Sequence, residues 1–189
     1  MATDLEIQPH GAMTRAIHWG AALLVLSAWA VGTTMEEFPR GGGREEAMQL
    51  HYSLGVLVLG LTALRVAWRL VSPVPPAPAP GPAWQRLAAT GMHVGLILLT
   101  IGLPLTGLLD RWARGRPVAI FGGIPLPAPF AVPGDRLWGE VHGVFGNLLL
   151  VAIGLHVAAA LWHQFAVRDG TLSRMLPMLQ RERIVPPPA

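Results

Sequence analysis

Histidine is the residue type on which the chemistry of this chain must rest. Cysteine is absent from all 189 residues, which removes thiolate nucleophiles, disulfides, iron–sulfur clusters and cysteine-ligated zinc or haem. Of the seven histidines, His18, His51, His93, His142, His156 and His163 fall within or at the ends of long apolar segments. Ionisable groups in such segments are costly and are kept where they face a protein interior and serve a purpose. An imidazole nitrogen can ligate zinc or haem iron, and spacing chooses between them. His142 and His156 are 14 residues apart, close to four helical turns, so they return to one face with a rise of roughly 21 Å. Ligands of one zinc gather at about 2 Å from the ion, which two groups so far apart on one helix cannot do. Each can instead hold its own haem inside a helical bundle. A further step of seven residues carries the same stripe to His163.

Such chemistry needs apolar helices to position it, and the composition supplies them. Hydrophobic residues make up 52% of the chain and charged residues 13%, with a mean hydropathy of +0.46. That balance points to a membrane protein and excludes a disordered chain or a charged coiled coil. All basic residues are arginine and the formal charge is +3. They lie scattered at the ends of apolar segments without a polybasic run, so no nucleic-acid partner is expected. A spanning helix needs roughly 20 apolar residues, and four segments qualify, at about 14–35, 48–71, 87–109 and 139–166. The first is longer than the apolar region of a signal peptide and lacks a convincing cleavage site, so it reads as a mature helix. The run PVPPAPAPGPA at 73–83 reads as a stiff extended connector. The 110–138 connection, rich in Gly and Pro, reads as an irregular surface excursion. The fold class expected is an all-α integral membrane protein, a four-helix transmembrane bundle enclosing two b-type haems. It occupies 1–177 as a single domain, with a short soluble tail at 178–189.

Charge orients the bundle. The N-terminus, the 72–86 connector and the tail carry Arg15, Arg65, Arg69, Arg86, Arg168, Arg174, Arg181 and Arg183, against six arginines and seven acids on the other side. Both termini are therefore expected in the cytoplasm. With alternating helices, His51 and His142 open helices two and four near the outer side and form one pair. His18 lies on the inner side, where the fourth helix ends, and its partner is His156 or His163. Depth favours His163. Electron tunnelling favours His156, because pairing with His163 stretches the distance between irons to roughly 31 Å, and His156 is chosen. Gly20, Gly55, Gly143 and Gly146 lie near these ligands, either for a flat macrocycle or for helix packing. Arg65 and Arg69 are candidates for neutralising haem propionates, or for snorkelling to the interface. The tryptophans read as an aromatic belt.

The motifs RAIHW at 15–19, LHYSLG with the following ALRVAWR at 50–69, GMHVGLILLTIGLPLTGLL at 91–109, VHGVFGNLLLVAIGLHVAAALWH at 141–163 and DGTLSRMLP at 169–177 resemble the bacterial di-haem cytochrome b561 family of four-helix membrane electron carriers. The resemblance implies periplasmic ligation by His51 and His142 and cytoplasmic ligation by His18 and His156, in a multi-pass protein of the bacterial inner membrane. Family members similar to superoxide oxidase imply oxidation of superoxide outside and reduction of ubiquinone inside. His93 and His163, left over after ligation, are then quinone candidates, because imidazole can donate a proton to a quinone oxygen. A polar contact between helices three and four is their other reading. Arg111, Arg114 and Arg116 are candidates for steering superoxide. The alternative is a quinone-linked cytochrome b subunit serving a redox-protein donor.

Overall fold

The computed structural model describes residues 8–73, 82–134 and 136–179. Four long helices dominate: α1 (Ala12–Thr34), α2 (Gly42–Val71), α3 (Ala83–Ala113) and α4 (Leu137–Trp162). All four are long and apolar enough to cross a membrane. α2 begins before the apolar run expected at 48, and α3 overruns 87–109 at both ends. Hydropathy marks where a helix leaves lipid, whereas backbone hydrogen bonding continues into water. Glu45 in the first turn of α2 and Arg69 in its last complement the helix dipole at those wet ends. α4 stops at Trp162, short of the expected 166, and passes into a π-helical turn, His163–Val167. Most of the proline run, 74–81, lies outside the described residues, as does the tail from 180 onwards.

The helices form two antiparallel hairpins. α1 packs along α2 and α3 along α4, and the hairpins meet chiefly through α2 and α3. Large side chains on the outer faces, among them Leu23, Leu70, Leu98 and Val151, are exposed, as expected of surfaces meant for lipid. The interior is a small layer of Val25, Val58 and Leu149, with Leu24, Leu96, Leu99, Leu103 and Ile153 packed against it. Val25 is seven residues after His18, Val58 seven after His51, and Leu149 seven from both His142 and His156. The layer therefore lies two turns, about 10 Å, from each histidine along its helix.

The connection between α3 and α4 is more ordered than its composition implied. A two-stranded antiparallel hairpin, β1 (Ala119–Ile120) with β2 (Ile124–Pro125), pairs Ala119 with Pro125 and Ile120 with Ile124. Its turn holds Gly122 and Gly123 at φ 80° and 141°, conformations that only glycine adopts cheaply. Val118 and Ile120 are buried, and the Phe121 N–H donates to the Ser53 hydroxyl of α2 at 2.8 Å. Residues 168–179 likewise fold back on the start of α1. The His10 N–H donates to the Arg174 carbonyl at 3.0 Å and the Trp19 indole to the Met175 carbonyl at 3.3 Å.

Candidate haem sites

Six histidines become two facing pairs and two extra rings. The His51 ring, on α2, faces that of His142, on α4, with centroids 6.2 Å apart and planes at 82°. At the other end of the bundle, His18 on α1 and His156 on α4 face each other at 6.3 Å and 62°. Two imidazoles binding one metal from opposite sides, each through a nitrogen at about 2 Å, hold their centroids roughly 6 Å apart. Both pairs have the spacing that a metal between them requires.

The first pair is oriented by the backbone of neighbouring helices. His51 Nδ1 lies 2.9 Å from the Ala28 carbonyl of α1, and His142 Nδ1 lies 2.9 Å from the Leu103 carbonyl of α3. A carbonyl oxygen only accepts, so in each ring Nδ1 carries the proton and Nε2 keeps its lone pair. Two glycines make this approach possible. A Cβ at Gly32 would sit 2.8 Å from His51 Cε1, and one at Gly107 3.0 Å from His142 Cε1. Neither glycine was singled out by sequence. Of those that were, Gly20 and Gly55 meet Leu61 and Pro104, Gly146 barely touches Leu103, and Gly143 faces open space.

A cavity of about 530 Å³ opens beside His51 and His142. Arg111, Arg114 and Arg116 are brought together in its lining, joined by Arg44 and Tyr52, which the sequence did not single out, and by Glu36 and Asp110. Arg114 pairs with Asp110 at 2.7 Å. The Arg111 guanidinium stands 5.5 Å from the Tyr52 ring centre and donates to the Pro117 carbonyl at 3.3 Å, while its Nε is buried without a hydrogen-bond partner among the described residues.

The second pair is less constrained and more crowded. His18 Nδ1 is buried with no hydrogen-bond partner among the described residues. His93 enters as a third ring, 5.5 Å from His156, and bonds to the carbonyl of Ala89 one turn back. The Arg65 charge acts on His18, His93 and His156 together, while Arg69 acts on His93 and His10. His10, outside the membrane segments, is driven toward its neutral form by burial, then by Arg174, Arg69 and His93. His163 keeps different company, with its Nδ1 2.5 Å from Asp169. Among the described residues, no group of three His, Asp or Glu converges as a metal cage.

Comparison with known proteins decides the family. Residues 9–178 match the family profile described as Prokaryotic cytochrome b561. The chain belongs to that family. Cytochrome b561 homolog 2 of Escherichia coli (strain K12) is 34% identical over 171 residues, covering 88% of this chain and 90% of the relative. The Probable superoxide oxidase CybB of Yersinia pestis is 33% identical over 166 residues, 85% and 92% of the two chains. Cytochrome b562 of Cereibacter sphaeroides is 31% identical over 170 residues, 85% and 90% of the two chains. As a prokaryotic cytochrome b561 with four spanning helices, the protein is a multi-pass bacterial membrane electron carrier, and its family implies b-type haem. The residues fit that group. Facing imidazoles at metal-spanning distance, Nδ1 protons committed to carbonyls and a cavity beside one pair are what a planar iron macrocycle needs.

Proposed function

We propose that this cytochrome b561 carries single electrons across the bacterial inner membrane by way of two haems b. One is held by His51 and His142, the other by His18 and His156. Superoxide on the periplasmic side is the donor and ubiquinone on the cytoplasmic side the acceptor. Both termini are cytoplasmic, and residues 1–177 act as one unit with 178–189 as its tail. The observation that carries the reading is the repetition of one spacing, 6.2 and 6.3 Å, at two levels of the same fourth helix. Bound haem supplies reversible one-electron chemistry at iron. Every other task belongs to the chain.

His51 and His142 donate hydrogen bonds from Nδ1–H to the Ala28 and Leu103 carbonyls, which fixes the rings and leaves Nε2 with the lone pair that would hold the haem iron. Arg65 and Arg69 supply positive charge on the inner side, suited to propionates. Arg111 and Arg116 at the outer cavity attract a small anion, while Arg114 is largely compensated by Asp110. At the inner end His93 and His163 supply hydrogen-bond donors to quinone oxygens.

Pyridine haemochrome analysis of the purified protein should give two haems per chain; one haem overturns the double assignment. A stopped-flow superoxide pulse should then reduce the oxidised protein rapidly, with reoxidation that depends on a ubiquinone analogue. A second reading is favoured by Glu36 and Asp110 at the mouth of the outer cavity, which offset its positive field. It makes the chain a quinone-linked subunit for a protein donor. Failure of superoxide to reduce the protein, with ready reduction by quinol, selects that reading. A reporter fused after residue 189 that is active only in the periplasm reverses the orientation.

A further inference from the structure

His163 and Asp169 form a built pair at the inner end of α4 that haem ligation does not use. The helix leaves its regular pitch at His163 and makes a π-helical turn through Val167, a distortion that helices usually carry where a site demands it. Arg168 then adopts φ 60°, a left-handed conformation costly for a residue with a Cβ. The reversal brings Asp169 back onto His163, placing a carboxylate oxygen 2.5 Å from Nδ1, and the Asp169 N–H donates to the His163 carbonyl at 3.3 Å. The second carboxylate oxygen accepts the Thr171 N–H at 2.9 Å. Burial works against the charge of Asp169, but the hydrogen bonds from Thr171 and His163 outweigh it and hold the carboxyl below its ordinary range. It is a fixed anion. The turn is pinned in place by Gln164, which accepts from the buried Ser173 hydroxyl at 3.2 Å, and by the Trp19 and His10 bonds to Met175 and Arg174.

We infer that Asp169 is the positioning residue that makes His163 a proton donor to quinone, an inference that rests on quinone reduction at this end. The carboxylate accepts the hydrogen bond from Nδ1–H, which fixes the ring and leaves Nε2 as the exchangeable position. Reduction of one quinone to quinol consumes two electrons and two protons, and the electrons come from two superoxide ions oxidised to two dioxygen molecules. At one quinone oxygen an O–H bond forms as the Nε2–H bond of His163 breaks, returning the ring to neutral; the other oxygen takes its proton from water. Among the described residues, the other charged or titratable groups on the packed segments include Arg168, whose guanidinium bonds the Phe165 carbonyl, and Arg174 and His10, joined by the His10 N–H to Arg174 carbonyl bond.

The test is stopped-flow reoxidation of the reduced haem protein by a ubiquinone analogue across a pH series. Asp169→Asn should keep the haem spectrum and superoxide-driven reduction while slowing quinone-dependent reoxidation roughly tenfold. The pH profile of that step should change as well, because the carboxylate that orients the ring through Nδ1 is gone. Asp169→Glu should restore most of the rate. An Asp169→Asn protein with the wild-type rate and pH profile overturns the inference and leaves quinone reduction standing. A wild type that no quinone reoxidises overturns both. Nitrogen-15 NMR of histidine-labelled wild type supplies a readout independent of turnover. A neutral His163 protonated at Nδ1 supports the inference, and one protonated at Nε2 overturns it.

Discussion

The two imidazole pairs differ by only 0.1 Å in separation, 6.2 against 6.3 Å, yet they are held by different means. Around His51 and His142 the backbone does the holding. Each Nδ1 is tied to a carbonyl of the adjacent helix in its own hairpin, and a glycine of that helix clears the space. The β1–β2 hairpin, hung from Ser53, packs on α2 nearby. Around His18 and His156, among the described residues, none of the glycines that α1–α4 carry is pressed against either ring, one Nδ1 has no hydrogen-bond partner, and side chains, namely His93 and Arg65, make the environment. The outer pair is preorganised by main chain, which mutation rarely alters. The inner pair is defined by side chains that can serve a second ligand as well as a metal.

Removing a ligand tests this contrast most severely. His51→Ala or His142→Ala should abolish one haem and leave the other spectrally intact, so haem per chain falls from two to one by pyridine haemochrome. Loss of both would mean that the pairs are not independent. Gly32→Ala comes next, because its methyl group would lie within 2.8 Å of the His51 ring. Overpacking costs about 1–3 kcal/mol, and the variant should lose most of the outer haem while keeping the inner. Gly20→Ala, whose Cβ would meet Leu61 at an ordinary 3.4 Å, should keep both.

At the inner pair a side-chain change should act more gently. His93→Gln should leave haem content at two and alter the redox potential and spectrum of the inner haem alone; an effect confined to the outer haem would reverse the assignment of levels. Neutralising Arg111 and Arg116 should slow the bimolecular reaction with superoxide several-fold and flatten its dependence on ionic strength. Arg114→Gln should do less, since its charge is already met by Asp110. The smallest effect is expected from Ser53→Ala, which removes the acceptor of the Phe121 N–H. A loss near 1 kcal/mol should appear as a slightly lower thermal midpoint with both haems retained.

The helices and the His51–His142 pair were legible in sequence because they follow from period and polarity, whereas depth pointed His18 to His163 and only the tunnelling distance pointed it to His156, the ring that it faces. Fourteen residues between His142 and His156 fix a shared face whatever the neighbours are, and alternating helix direction brings His51 and His18 to matching levels. What decides how the rings are held was not legible. Gly32 and Gly107 look like any glycine of a membrane helix until the ring against them is seen. The Ala28 and Leu103 carbonyls leave no mark in a sequence at all. His93 and His163 were grouped as one candidate set, and here they separate: His93 stands with His156, while His163 turns to Asp169. The π-helical turn shifts side chains out of the 3.6-residue period, so reading by period could not bring Asp169 to His163. The connection after α3 announced itself only as Gly and Pro, and its order comes from the Phe121 bond to Ser53, from Trp112 and Arg111 donating to the Leu126 and Pro117 carbonyls, and from two buried aliphatic side chains.

The layer of Val25, Val58 and Leu149 has a consequence for the energetics of the membrane. Its members and the leucines and isoleucine around it carry no group that exchanges protons, whereas an electron needs no such carrier. On the proposed reading, an electron passing between the two histidine levels carries its charge through this layer, and the step is electrogenic. Those levels are roughly 21 Å apart along α4, about two thirds of a hydrocarbon core near 30 Å. A full crossing of one charge is worth about 2.3 kcal/mol per 100 mV, so the inward step meets on the order of 1.5 kcal/mol per 100 mV of inside-negative potential. With the orientation proposed above, an energised membrane holds electrons back at the His51–His142 pair, and a de-energised one lets them through.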